Sequence, residues 1–87
     1  MNLVFTTRFD RDLKRLVKVN PPIKFRVEKT LKLLSQDINH PSLRVHKLSG
    51  KQNVWSVSVT MSIRIILKMR SSQEIRLFRI GTHEDVY

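Results

Sequence analysis

Cysteine is absent from this chain, glycine occurs twice, proline three times, and only 7 acidic residues stand against 17 lysines and arginines. The missing cysteine excludes disulfides and thiolate metal sites and fits a reducing compartment. With so little glycine, no low-complexity run, no internal repeat and 40% hydrophobic residues, the composition is that of a folded chain rather than a disordered one. No apolar run approaches the about 20 residues that cross a bilayer, and the first residues show no basic, apolar and small-residue succession of a secretory signal. A cytoplasmic protein without a membrane segment is expected. A length of 87 residues predicts a single domain, 1–87, with one modest core and a stability that benefits from a partner.

What the chain has in excess is positive charge, +10 overall and distributed along its whole length. Nine of the basic residues lie between Arg8 and Lys32, against Asp10, Asp12 and Glu28. A body this basic attracts nucleic acid, an anionic membrane or an acidic protein, with an affinity that falls steeply as salt rises.

The hydrophobic pattern changes period once. Asn2 to Thr6 reads as a short strand. Thr7 and Asp10 form a capping-box-like pair opening a helix whose apolar stripe is Phe9, Leu13, Leu16 and Val17. Asn20-Pro21-Pro22 ends that helix and starts a second, striped by Ile23, Val27, Leu31 and Leu34. Downstream of a turn at Asp37 to Ser42 the period becomes two. Trp55, Val57 and Val59 alternate with Ser56, Ser58 and Thr60. Ile63, Ile65, Leu67 and Met69 likewise alternate with Arg64, Ile66 and Lys68, and Glu74 to Ile80 forms a further strand. The links Thr60 to Ser62 and Arg70 to Gln73 are too short for parallel crossovers, so an antiparallel meander is expected. The fold class is α+β, with an N-terminal strand and a helical hairpin packed on one face of a small, mainly antiparallel sheet.

The chemistry-bearing residues concentrate at the end, in Arg79-Ile80-Gly81-Thr82-His83-Glu84-Asp85-Val86-Tyr87. A histidine beside surplus cationic charge suits proton transfer at a phosphodiester, because imidazole exchanges protons near neutrality and cations stabilise a charged phosphorane. Arg64, on a strand between isoleucines, is hard to explain as a merely solvated charge. The histidines at 40, 46 and 83 are scattered, and Glu84 and Asp85 are adjacent in sequence, so no metal site is expected. Walker, Rossmann and nucleophile-triad motifs are absent, and no cofactor is expected.

Three segments together resemble the RelE/ParE superfamily of toxins from bacterial type II toxin–antitoxin systems, and most of all its RelE/YafQ-like mRNA endonuclease branch. They are His40-Pro41-Ser42-Leu43-Arg44-Val45-His46-Lys47-Leu48-Ser49-Gly50, the stretch from Trp55 through Ile63-Arg64-Ile65-Ile66-Leu67, and the closing Gly81-Thr82-His83 followed by Tyr87. The resemblance implies a RelE-like fold and metal-independent cleavage of mRNA on the ribosome. It also implies inhibition of translation and an acidic antitoxin as partner. By the same resemblance His83 and His46 match the acid/base histidines, Arg64 the arginine at the scissile phosphate, and Tyr87 the aromatic residue after the terminal histidine.

Two departures bear on activity. Related nucleases carry an arginine near the position of Ser58, and the YafQ-like ones a further histidine and aspartate between Ser58 and Ser62. Lys47, Arg79 and Lys68 are the candidates to replace the missing cation, with Arg44 a further RNA-binding candidate. The alternatives are a ParE-like poison of DNA gyrase, which generally lacks the Gly-Thr-His ending, and a catalytically weak member acting through antitoxin binding and operon repression.

Overall fold

The computed structural model describes all residues from 1 to 87 except 51, 70 and 72. Residues 70 and 72, part of the link expected from Arg70 to Gln73, therefore lie outside the described residues. Strand β1 (Asn2–Phe5) leads into helices α1 (Thr7–Val19) and α2 (Ile23–Gln36), then a 3₁₀ turn, Pro41–Leu43. Strands β2 (His46–Lys47), β3 (Val54–Ser58), β4 (Ile63–Met69) and β5 (Glu74–Thr82) follow, and helix α3 (His83–Val86) closes the chain. The sheet order is β1-β5-β4-β3-β2. Strands β3 to β5 form the expected antiparallel meander, the short β2 extends it along β3, and β1 adds in parallel to β5 at the far edge.

Alternation decides which face is covered. Val57, Ile63, Ile65, Leu67, Ile75, Leu77 and Ile80 meet Phe9, Ile23, Val27 and Leu34 of the helical hairpin to form the core, with Trp55 and Leu31 partly buried against it. Phe9 is fully buried, so truncation to alanine would cost about 3–5 kcal/mol. Ser56, Arg64, Ile66 and Lys68 therefore point to the opposite, open face.

Local details differ from the sequence reading. The N-cap of α1 is Thr6 rather than Thr7: its hydroxyl accepts from Phe9 N (3.2 Å) and donates to Leu77 O (2.7 Å), which ties the helix start to β5. Pro21 and Pro22 form the turn before α2, which opens at Ile23 without a side-chain cap. Strand β5 runs two residues beyond Ile80 and contains a bulge: Ile66 pairs with Arg79 and Leu67 with Leu77, leaving Phe78 as the extra residue. That insertion shifts the alternation so that Ile80, like Leu77, faces the core.

The bulge also marks where β1 ends. Beyond Leu77 the outer edge of β5 has no strand partner among the described residues, and Asp12 of α1 takes over, accepting from Ile80 N at 3.2 Å. An edge amide that water or another chain would otherwise satisfy is closed by a helical carboxylate.

Candidate active site on the open sheet face

Gly81 lies opposite Arg64 on the open face, and a β-carbon there would come within 3.1 Å of Asp85 Cβ and 3.3 Å of Val86 Cγ1. The glycine lets α3 fold back closely over this face. A capping box holds the turn: Thr82 Oγ accepts from Asp85 N (3.2 Å), and the Asp85 carboxylate accepts from Thr82 N (3.4 Å). The terminal residues that the sequence singled out are thus built into a short helix. His83 occupies its first turn, and its ring lies against that of Tyr87, with centroids 4.1 Å apart and planes at 48°.

Tyr87 reaches across to the sheet. Its hydroxyl lies 2.5 Å from Ser56 Oγ and 3.4 Å from His46 Nε2. Arg64 meets the same two residues from the other side: Nε donates to Ser56 Oγ (2.5 Å), and Nη2 lies 3.3 Å from His46 Nδ1 and donates to Arg44 O at 3.3 Å. Strand register explains the meeting. Ser56 sits opposite His46 on β2 and Ile66 on β4, so Arg64, two residues before Ile66, leans onto it from the neighbouring row.

These contacts close a ring, and the ring dictates proton positions. A guanidinium only donates, so His46 Nδ1 is an acceptor and Nε2 carries the proton. Nε2–H then points to Tyr87 oxygen, and the Tyr87 O–H to Ser56, which also accepts from Arg64. Ser56 is completely buried, and a buried hydroxyl with two charged or phenolic partners fixes both of them. Among the described residues no carboxylate takes part, so the Arg64 charge is oriented by neutral groups but not neutralised. Beside the ring, His46, Lys47, Leu48, Val54, Ile66, Val86 and Tyr87 line a cavity of about 480 Å³ with a largely apolar floor.

The other candidates fall elsewhere. Arg79 is drawn to the β5 edge, where Nε donates to Asp12 Oδ2 at 2.7 Å and Nη2 to Oδ1 at 3.4 Å. The hydrogen bond to Asp12 holds the guanidinium above its ordinary pKa; burial opposes this, and attraction to Asp12 and Asp85 adds to it. Arg79 lines a separate cavity with Asp12, Arg15 and Asp85, so the proposed substitute for the missing cation is committed to a carboxylate. Arg44 adopts a left-handed conformation (φ 46°) and gives the ring its carbonyl, while the residue lines a different cavity, beside His40. His40 caps the 3₁₀ turn through Nδ1, which accepts from Ser42 N. Lys47 contributes to the wall of the His46 cavity, and Lys68 lies farther along β4. Ser58, where the resemblance led one to look for an arginine, donates to Thr60 O at 2.8 Å.

Two residues escaped the sequence reading. Ser56 carries no signature, being one of several small polar residues on the strand's outer face. Asp12 did leave a signal, since it falls on the inner stripe of α1 three residues after Phe9, where an acid needs a buried partner.

The sequence model of a family described as "Bacterial toxin of type II toxin-antitoxin system, YafQ" matches residues 1–87. The chain belongs to the YafQ toxin family. It is accordingly a toxin of a type II toxin–antitoxin system. Its fold is that of the Escherichia coli YafQ in the DinJ–YafQ complex, with a TM-score of 0.83 at 19% identity, covering 99% of this chain and 97% of the other. A metal-bound toxin from Helicobacter pylori gives 0.83 at 21% identity, covering 100% and 99%. A YoeB/ParE toxin from Agrobacterium tumefaciens gives 0.79 at 16%, covering 95% and 99%. No curated protein matches the chain significantly. In this chain the fold carries the ring on its open face, with α3 laid across it.

Proposed function

We propose that this toxin is a metal-independent endoribonuclease that cuts mRNA on the ribosome and so arrests translation. The observation that carries the reading is the ring joining Arg64, His46, Tyr87 and Ser56, with the His83 imidazole tilted against the same tyrosine. Cleavage needs a base to remove the 2′-hydroxyl proton, an acid to protonate the departing 5′-oxygen, and a cation at the phosphorane. In this reading Arg64 holds the non-bridging oxygens, with its charge left free by uncharged partners. His46 and His83, on either side of Tyr87, serve as the proton-transfer pair. The 2′-oxygen bonds to phosphorus as the P–O5′ bond breaks, one proton leaves and one is delivered, and the products are a 2′,3′-cyclic phosphate and a 5′-hydroxyl.

His46 Nδ1 is occupied by Arg64 in the closed ring. An arriving phosphate competes for the guanidinium and frees that nitrogen, which links substrate binding to the appearance of the base. Tyr87, 48% exposed at the cavity mouth, offers its ring to a base or sugar. At rest, the partner is an acidic antitoxin segment that covers part of the basic surface and orders on binding. The site of action is the cytoplasm, where ribosomes and message are found.

A binding-only toxin is the second reading, favoured by the pairing of Arg79 with Asp12 and by Ser58 in place of a cation. The test is primer extension on mRNA from translation reactions with wild type, His83→Ala, His46→Ala and Arg64→Ala. Cuts that require translation and vanish in the variants are expected. Intact message in cells that nevertheless stop growing would sink the nuclease reading and turn attention to DNA gyrase.

A further inference from the structure

The open face carries a second cationic position that the ring does not use. Register places Val4, Arg76, Lys68 and Val54 in one row across β1, β5, β4 and β3, so Arg76 and Lys68 stand directly opposite each other with like charge. Such pairs repel. Glu74, two residues along β5, forms a loose, partly exposed ion pair with Arg76 Nη2 at 3.6 Å, whereas Arg76 Nε is buried with no hydrogen-bond partner among the described residues. A buried guanidinium N–H without an acceptor is costly unless an anion supplies one.

The position of this pair suggests which anion. Lys68 follows Arg64 by four residues on the same strand and face, about 13 Å away at the usual rise. The cavity beside the ring extends along this direction: its floor runs from His46 and Ile66 to Val54, the residue paired with Lys68. Ile66 is only 6% exposed, and with Val54, Leu48 and Val86 it forms an apolar bed between two cationic positions. Phosphates and apolar nucleoside faces alternate along a single strand of RNA, and a span of this length holds more than one nucleotide.

The geometry points to Lys68 and Arg76 as a second phosphate subsite, which binds the RNA backbone beyond the scissile phosphate while a nucleoside rests on Ile66 and Val54. The assignment rests on the nuclease reading of the Arg64 site and gives it a substrate path. Repulsion between the two cations is relieved when the backbone arrives. The subsite therefore selects for RNA long enough to reach it.

Binding of fluorescent 2′-O-methyl RNA, whose blocked nucleophile prevents cleavage, tests this with a dinucleotide and a hexanucleotide across a salt series. The hexanucleotide should bind wild type more tightly than the dinucleotide. The Lys68→Gln/Arg76→Gln double variant, which removes both charges and keeps part of each aliphatic stem, should lose that advantage, with the slope of log affinity against log salt falling by roughly 0.7–1.4. Its unfolding midpoint should stay equal or rise, which a purely structural role for the pair would not give. Equal affinity of the two lengths for wild type, no measurable binding of either, or an unchanged hexanucleotide advantage in the variant would overturn the subsite. Arg64→Ala separates the two claims. If it leaves both affinities intact while the double variant loses the increment, the Arg64 reading fails and the subsite stands. If it weakens both lengths while the double variant behaves as wild type, the reverse holds.

Discussion

Two arginines on neighbouring strands of one small sheet have opposite surroundings. At the β5 edge, Arg79 meets the 7%-exposed carboxylate of Asp12 and its charge is cancelled. On the open face, Arg64 meets a serine hydroxyl, a carbonyl and an imidazole nitrogen, which orient it and leave its charge in place. The difference separates a cation that holds the fold from one available to a ligand. Charge count alone does not separate them, since both residues add one to the same net +10.

The comparison can be broken in order of expected effect. Arg64→Ala should reduce cleavage about 10²–10³-fold, the usual loss when a group stabilising transition-state charge is removed, with only a small change in the unfolding midpoint. Asp12→Ala should act the other way. It strands the Arg79 guanidinium and the Ile80 amide, and urea unfolding should show a loss of about 2–4 kcal/mol, moderated because the Arg79 side chain is 23% exposed. Because the Arg79 pKa is raised, its contribution to stability is complete below the unfolded value and fades only as pH rises through the folded one. A urea midpoint measured across the neutral range should therefore show no loss traceable to deprotonation of Arg79.

Gly81→Ala sharpens the contrast from the side of the tail. The 3.1 Å approach to Asp85 Cβ requires α3 to give by a few tenths of an ångström, which should displace His83 and Tyr87 while the core stays intact. Cleavage should fall about tenfold or more, in line with the sensitivity of positioned groups to small displacements. Loss of the contact between His83 and Tyr87 in NMR spectra would report the shift. Tyr87→Phe is the mildest change. It keeps the stacked ring and removes the bridge to Ser56 and His46, for a stability change of about 0.5–1.5 kcal/mol in thermal unfolding.

Much of this fold was legible in the sequence because two periodicities carried it. The stripe through Phe9, Leu13, Leu16 and Val17 and the alternation through Ile63 to Met69 each bury one face, and the short links left the meander as the pairing available. The sequence also placed Arg64, Ile66 and Lys68 together on one face. The bulge at Phe78 and the parallel addition of β1 were hidden, since neither alters local composition. The helix formed by His83 to Val86 was missed because four residues are too few for a period, although Thr82 and Asp85 are a capping pair once the chain is known to turn there. Within the site, residue types suggested His83 and Arg64, and the family resemblance added His46 and Tyr87. Ser56, the buried oxygen that joins Arg64 to Tyr87, and Asp12, which removes Arg79 from the set, depend on contacts between residues 8 to 67 positions apart.

The most direct measurement is translation-coupled mRNA cleavage by two folded proteins, Arg64→Ala and the double variant Asp12→Asn/Arg79→Gln. In the double variant both charges are removed, and the asparagine oxygen remains to accept from Ile80. At equal concentrations of folded protein, the account predicts that Arg64→Ala cuts about 10²–10³-fold more slowly than wild type and that the double variant cuts at near the wild-type rate. Cleavage retained by Arg64→Ala and lost in the double variant would contradict it, and would make Arg79 the cation that acts on the substrate.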